Sequence, residues 1–251
     1  MAHAEIHHLD RAPITEAVID IRVQLPETAT AELLAVLPPD LAGEYSNREE
    51  LHVFQGELQL QLPAGLVQHS RSDMGIRGYR FISTTRNAVV QMRLDGFTFS
   101  KLRPYTDWEN VLEESQRLWA HFATVAPIEI AHRLAVRYIN NFPIPAGRRI
   151  QDYLTDPPVV PEDLPHRTAI RSALSRLVLI DPENQVNSIV TKGLEVSHGN
   201  GIAVVIDIDS YKAGEFPVAD GSFWNEFAQL HETKNRIFFG SLTPTATQDF
   251  E

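Results

Sequence analysis

The segment from Ala12 to Leu25, APITEAVIDIRVQL, alternates between apolar and polar side chains. One set of alternate positions holds the apolar residues Ala17, Ile19, Ile21, Val23 and Leu25. The other set holds Glu16, Asp20, Arg22 and Gln24, with Val18 as its one apolar member. A period of two residues predicts a β-strand that buries one face and leaves the other in water. Such strands are typical of antiparallel sheets that are covered on one side.

The rest of the first half continues this pattern and then changes to a helical one. Further strand-like segments run between residues 51 and 102, and Asp95-Gly96 is the signal of a tight hairpin. From Trp108 to Phe122 apolar residues recur at helical spacing, and Thr106 with Glu109 has the spacing of a capping box. The predicted order is a strand, a short helix, four strands and a long helix.

The second half repeats much of this order at an offset of about 115 residues. Ala126-Pro127-Ile128 opens it as Ala12-Pro13-Ile14 opens the first half, and Trp224 corresponds to Trp108 near the start of a closing helix. Solenoid repeats are shorter, at about 20–50 residues. We therefore predict an α+β fold with two pseudo-symmetric repeats, β-α-β4-α, of the helix-grip or TATA-binding-protein-like kind. The repeats span residues 1–125 and 126–251, each an antiparallel sheet with one long helix on one face, packed together as one compact unit.

The composition excludes several classes of function. The chain has no cysteine, which excludes disulfides, thiolate metal sites and cysteine nucleophiles. A net charge of −11 argues against general nucleic-acid binding, which needs clustered basic residues. No apolar run approaches the ~18 residues that span a bilayer, and the first ten residues lack the apolar core of a signal peptide. We expect a cytoplasmic protein that does not associate with membranes.

Three short motifs resemble those of a known family. The first, from Pro13 to Arg22, matches P-x-x-EAV-x-(D/E)-(I/L)-R. The second is RYIN, from Arg137 to Asn140. The third, from Phe239 to Thr243, is an aromatic residue at the end of the C-terminal helix followed by S-(L/I)-T. These motifs are similar to those of sporadically distributed bacterial proteins of about the same length. The resemblance spans nearly the full chain and implies a bacterial protein with no missing domains. That family has no assigned activity, so the resemblance implies no catalytic residue.

Arginines on the polar strand faces are the main candidates for a binding site. They are Arg22, Arg93, Arg133 and Arg137, and Glu16 and Asp20 share their surroundings. Because the planar guanidinium group binds carboxylates and phosphates through two hydrogen bonds, these residues predict a site for an anionic ligand or a protein partner, without a cofactor. The site would lie on a polar sheet face or in the groove between the repeats. The alternative is ordinary ion pairing with Glu16, Asp20, Asp95 and Glu129, at about 0–1 kcal/mol for each pair.

Two other hypotheses remain open. Asp207 and Asp209, with Glu195 as a third carboxylate, could hold Mg²⁺ in an enzyme that handles phosphates or nucleotides. The chain could instead be a self-associating structural component, for example a homodimer, because the edge strands of an open sheet pair readily.

Overall fold

Nine antiparallel strands form one continuous sheet in the part of the chain that the structure describes. The structure is a computed structural model; it describes residues 9–61, 66–165, 169–196 and 201–251, and for 54–61 and 66–74 it describes the backbone alone. The strands are β1 (Ile14–Val23), β2 (Asn47–Gln61), β3 (Leu66–Ser83), β4 (Ala88–Arg93), β5 (Gly96–Leu102), β6 (Ile130–Ile144), β7 (Ser172–Asp181), β8 (Val186–Val196) and β9 (Ile202–Pro217). The predicted α+β class with antiparallel pairing is confirmed.

The helices comprise two long and two short α-helices within the same described ranges. They are α1 (Pro39–Glu44), α2 (Trp108–Val125), α3 (Glu226–Ser241) and α4 (Pro244–Asp249), with single 3₁₀ turns at Ala31–Leu34, Ile150–Asp152 and Ser222–Asn225. The helix α2 begins one residue later than the capping box predicts. Asp107, not Thr106, is the N-cap, because its carboxylate accepts a hydrogen bond from the Asn110 amide at 2.7 Å.

The order of the strands is β2-β3-β4-β5-β1-β6-β9-β8-β7. The sequence predicts one sheet for each half of the chain. In the structure the two halves instead share a single sheet, and they meet where β1 pairs with β6. This pairing runs from Ile14 opposite Asn140 to Val23 opposite Ala131. It buries the apolar side of β1 at the middle of the sheet.

The described part of the second half has fewer strands than the predicted β-α-β4-α repeat. Among residues 145–165, 169–196 and 201–225, three strands, not four, lie between β6 and the closing helix α3. The connection after β6 contains Pro157, Pro158, Pro161 and Pro165, which lack an N–H donor and cannot extend a ladder of hydrogen bonds. The described part of this connection holds one 3₁₀ turn and an isolated β-bridge between Leu154 and Leu242, and is otherwise irregular chain.

Both long helices pack on the same side of the sheet. Trp119 of α2 contacts Phe97 of β5 and Phe223 before α3 with ring centres 5.6 and 5.5 Å apart. Phe227 and Leu230 of α3 are fully buried in the same cluster. Each such side chain contributes about 1.5–3 kcal/mol when it is fully buried. We call this side of the sheet the helix face and the opposite side the open face.

The open face is not covered by a helix within the described ranges, and many of its side chains at the centre of the sheet are polar. On β9, for example, Asp207 and Asp209 alternate with the buried Ile206 and Ile208. No helix in the same ranges has the length and the apolar composition needed to cross a bilayer.

Candidate functional site

Asp20 is the centre of a hydrogen-bond network on the open face. It lies on β1, opposite Thr98 of β5, and it is buried. Its carboxylate accepts hydrogen bonds from Thr98 Oγ1 at 2.7 Å, Arg22 Nε at 3.0 Å, Arg133 Nη1 at 3.1 Å and Arg93 Nη2 at 3.4 Å. Three arginines from three different strands thus converge on one carboxylate.

A second carboxylate extends the network at the turn between β4 and β5. Asp95 accepts from Arg22 Nη1 at 2.8 Å and from Arg93 Nε at 2.9 Å. Partial burial acts to raise the pKa of Asp95, but the charges of Arg93 and Arg22 outweigh it and hold that pKa below its ordinary value. The Asp95 carboxylate therefore stays ionised and holds the guanidinium groups of Arg22 and Arg93 in place.

The network continues into the second half of the chain. Arg133 Nη2 donates to both carboxylate oxygens of Asp209, at 2.9 and 2.7 Å, and its guanidinium carbon lies 4.4 Å from the centre of the Tyr211 ring. Burial raises the pKa of Asp209 above its ordinary value, although Arg133 opposes this shift. Arg137 donates from Nε and Nη2 to Asp207, at 2.8 and 2.6 Å, and these hydrogen bonds raise the pKa of Arg137.

The structure thus brings the four predicted arginines to one face, but it pairs each of them internally. We call the set the Asp20 network: Arg22, Arg93, Arg133, Arg137, Asp20, Asp95, Asp207 and Asp209. Four guanidinium groups balance four carboxylates in a chain of net charge −11. The ion-pair alternative is confirmed for Asp20 and Asp95. Glu16 and Glu129 form no ion pair with a basic side chain of the described residues.

Glu16 is nevertheless close to the network. It is half-buried on β1, and its charge adds to the effect of Asp207 and Asp209 in raising the pKa of Arg137. Glu16 therefore acts on Arg137 at a distance, without a direct contact.

The predicted Mg²⁺ site does not form. Asp207 and Asp209 are each engaged by an arginine. Glu195 lies on β8 opposite Ala203 of β9. Ala203 and Asp207 are four residues apart on β9, and at ~3.3 Å per residue this separation is about 13 Å. The described residues contain no group of three His, Asp or Glu side chains placed to hold a metal ion. The prediction of a Mg²⁺ site was wrong because Glu195 lies too far along the sheet from Asp207 and Asp209. The sequence spacing of the two aspartates does not reveal this distance.

The structure contains a cavity on the helix face that the sequence did not predict. A cavity of about 620 Å³ lies between α2 and the ends of β4 and β5. Two arginines of its lining, Arg86 and Arg117, donate to Glu44 at 2.6 and 2.5 Å. The hydroxyl of Tyr45 donates to Glu114 at 2.7 Å, and both of these residues also line the cavity. Glu44 ends the six-residue helix α1, whose sequence PDLAGE has too little apolar periodicity to be recognised.

A smaller cavity of about 200 Å³ was also missed, where the N-terminal end of α2 meets α3. Lys234 of α3 lines this cavity and is buried, and the rings of Trp108 and His231 stack beside it with centres 4.2 Å apart. A single lysine in a polar helix segment is normally exposed, so the sequence carries no signal for this site.

The free edge of the sheet at β7 is the third feature. Its apolar side chains are exposed, although the strand belongs to a sheet with a large buried core. Comparisons with protein-family models, curated proteins and solved structures find no match for this chain.

Proposed function

We propose that this protein is a binding protein whose partner is a second copy of the same chain, paired edge to edge through β7. The observation that carries this proposal is a run of exposed apolar side chains: Leu174, Leu177, Val178, Leu179 and Ile180 are between 41% and 78% exposed. Contiguous apolar surface on an unpaired sheet edge is typical of a site where another strand adds.

The apolar side chains of β7 lie on both faces of the sheet. Leu177 pairs with the buried Val190 on the helix face, whereas Val178 pairs with Ile189 on the open face. An added strand would therefore cover apolar groups on both sides. Burial of one such group contributes up to about 1.5–3 kcal/mol. Ten of them in two copies can offset the roughly 4–15 kcal/mol lost in freedom of motion on association.

The two edges of the sheet differ in their protection against pairing. The β2 edge carries exposed Glu49 and Glu50, and its register shifts on both sides of His52. Charges and bulges of this kind disfavour the addition of a strand. The β7 strand pairs with β8 without a shift and carries one base and one acid, Arg176 and Asp181. Its local charge is zero, so two copies of this edge do not repel each other despite the net charge of −11.

The sequence of β7 suits antiparallel pairing with itself. A two-fold axis at Leu177 gives nearly full overlap of two copies of the strand. Leu177 then lies opposite itself, Leu174 opposite Ile180, and Val178 opposite Arg176. Closed two-fold dimers are the most common symmetric assemblies, and one apolar edge supplies both halves of such an interface.

Light scattering coupled to size-exclusion chromatography tests the proposal. We expect about 56 kDa for the wild type, twice the 28.2 kDa of the chain. Leu177→Lys places two like charges opposite each other and should give the monomer mass. Val36→Lys, at another exposed apolar position, is the matched control and should keep the dimer. A wild type that stays at 28.2 kDa at its highest soluble concentration would contradict the proposal.

An anionic ligand on the open face is a second candidate function. Arg137 bonds Asp207 through Nε and Nη2, and its Nη1 has no hydrogen-bond partner among the described residues. Arg22 likewise uses Nε and Nη1, and both side chains are more than two-fifths exposed. We expect phosphate or citrate to raise the melting temperature of the wild type and not that of Arg137→Ala. Equal shifts in both proteins would count against this candidate.

We also propose that the two halves are repeats of one helix-grip-like unit in a cytoplasmic bacterial protein, as the motifs at Pro13, Arg137 and Phe239 suggest. The order of the strands supports the repeats. Outward from the centre, β1-β5-β4-β3 in one direction corresponds to β6-β9-β8-β7 in the other. In each half a long helix, α2 or α3, follows the last strand and packs on the helix face.

A further inference from the structure

Lys234 occupies a position that is unusual for a lysine. Its residue is 4% exposed, and its Nζ lies 3.6 Å from the centre of the Tyr138 ring. Nζ donates a hydrogen bond to Asn235 Oδ1 at 2.5 Å, and no carboxylate of the described residues lies within ion-pair distance. A buried ammonium group without a carboxylate is costly, so this site favours the neutral amine.

The amine borders a space that a small molecule can enter. The cavity of about 200 Å³ has an apolar wall that includes Leu9, Phe238 and Phe239. Its polar lining includes Tyr105, and the Tyr105 hydroxyl lies 3.1 Å from that of Tyr138. The cavity thus combines an amine, a hydroxyl donor and apolar surface.

The titratable side chains that surround the Lys234 amine in the interior are uncharged at pH 7, so none of them supplies a negative charge to an ammonium group. Burial, then the charge of Lys234, lowers the pKa of His231 to about 3, so its ring is neutral at pH 7. Burial raises the pKa of Tyr105 to about 12 and that of Tyr138 well above its ordinary value, so both keep their protons. The carboxylates of the lining are those of Asp107 and Glu109, near the N-terminal end of α2. For Lys234 itself, burial lowers the pKa to about 7.

We propose that this cavity binds a small, uncharged aldehyde or ketone by reversible imine formation at Lys234. The lone pair of Nζ attacks the carbonyl carbon and forms a C–N bond, while the C=O π bond breaks, the nitrogen gives up one proton and the carbonyl oxygen takes one up. The resulting carbinolamine loses its hydroxyl group together with the second N–H proton as water and becomes a C=N imine, so the reaction releases one water and changes no oxidation state. Desolvated lysines in apolar pockets are known to be activated for this chemistry. Asp107 and Glu109 disfavour carbonyl compounds that carry a carboxylate, because like charges repel.

Reductive trapping tests this inference on the wild-type protein. The protein is treated with butanal and sodium cyanoborohydride at pH 7, and peptides are mapped by mass spectrometry. The chain has four lysines besides its amino terminus: Lys101, Lys192, Lys212 and Lys234. We expect Lys234 to react at least tenfold faster than Lys192 and Lys212, because these are ion-paired to Asp156 and Glu226 at 2.5 and 2.6 Å. Glyoxylate, which carries a carboxylate, should label Lys234 more slowly than butanal does.

A second measurement covers the case in which the reductant does not reach the cavity. Native mass spectrometry without reductant should detect an adduct of butanal less one water, and Lys234→Met should lack it. Labelling of Lys234 no faster than that of Lys192, together with an unchanged adduct in Lys234→Met, would overturn the inference. Absence of any adduct at Lys234 in both measurements would overturn it as well. Neither readout depends on pairing through β7.

Discussion

Arg133 Nη1 lies 3.1 Å from Asp20 Oδ2, and this contact joins neighbouring strands that come from opposite halves of the chain. The same guanidinium group binds Asp209 through Nη2. Arg133 therefore ties β1 to β9 across β6. At the centre of the open face the charged side chains therefore neutralise one another.

Removal of the central carboxylate should destabilise the fold. Asp20→Ala leaves Arg93 and Arg133, which are largely buried, without a shared partner, and loss of a buried partner typically costs about 3–5 kcal/mol. After allowance for partial exposure we expect a loss of about 2–3 kcal/mol in the free energy of unfolding, measured by urea denaturation. The control Asp95→Ala removes a 67% exposed carboxylate and should cost less than about 1 kcal/mol. Equal losses would refute the central role of Asp20.

The buried Lys234 should make stability depend on pH. Its pKa is about 7 in the folded protein against an ordinary value of 10.5, so between these values the unfolded chain binds more protons than the folded one. Stability should therefore rise with pH, by about 2 kcal/mol between pH 7 and pH 9. Lys234→Met should lack this rise and should be more stable than the wild type at pH 7. The measurement is urea denaturation of both proteins at the two pH values; parallel changes in the two would count against the buried amine.

Two glycines provide a test of close backbone packing. A Cβ atom at Gly78 would lie 2.2 Å from the Met92 carbonyl oxygen on the neighbouring strand β4. Gly78→Ala should therefore lower the melting temperature strongly. Gly240 lies in α3, and nothing lies within 4 Å of a Cβ placed there. Gly240→Ala should raise the free energy of unfolding by about 0.5–1 kcal/mol, because alanine favours a helix over glycine. Calorimetry of both variants checks this, and a neutral Gly78→Ala would show that the two strands lie farther apart.

The elements of the fold were predictable to the extent that they repeat a simple period. The alternation of β1 and the helical spacing of α2 appear directly in the sequence, and both elements are confirmed. The short helices α1 and α4, each of six residues, were not predicted, since so few residues cannot establish a period. The number of strands in the second half was overestimated, because the assumed repeat assigned to it the four strands of the first half.

The site was predictable in its residues and not in its contacts. The polar positions of the strands correctly place the four arginines on one face. Which carboxylate each arginine meets depends on the order of the strands, which brings Asp20 next to Thr98, 78 residues away, and next to Arg133, 113 residues away. Burial of Lys234 depends on how α3 sits against Tyr138 of β6, and no local pattern encodes that.

The absence of cysteine allows the β7 interface to be probed with single introduced thiols. Opposed residues of antiparallel strands have Cα atoms about 4.5–5.5 Å apart, within the ~4.4–6.8 Å that a disulfide spans. Leu177 should lie opposite its own copy, whereas Leu174 should lie about 20 Å from its copy, at ~3.3 Å per residue. Val36→Cys, at an exposed position away from β7, measures random collision.

The most direct measurement of the central claim is the rate at which each single-cysteine variant forms a covalent dimer under mild oxidation, read on a non-reducing gel. We expect Leu177→Cys to cross-link rapidly and nearly completely, and both Leu174→Cys and Val36→Cys to cross-link slowly. Cross-linking of Leu177→Cys at the rate of Val36→Cys would contradict pairing of two copies through β7.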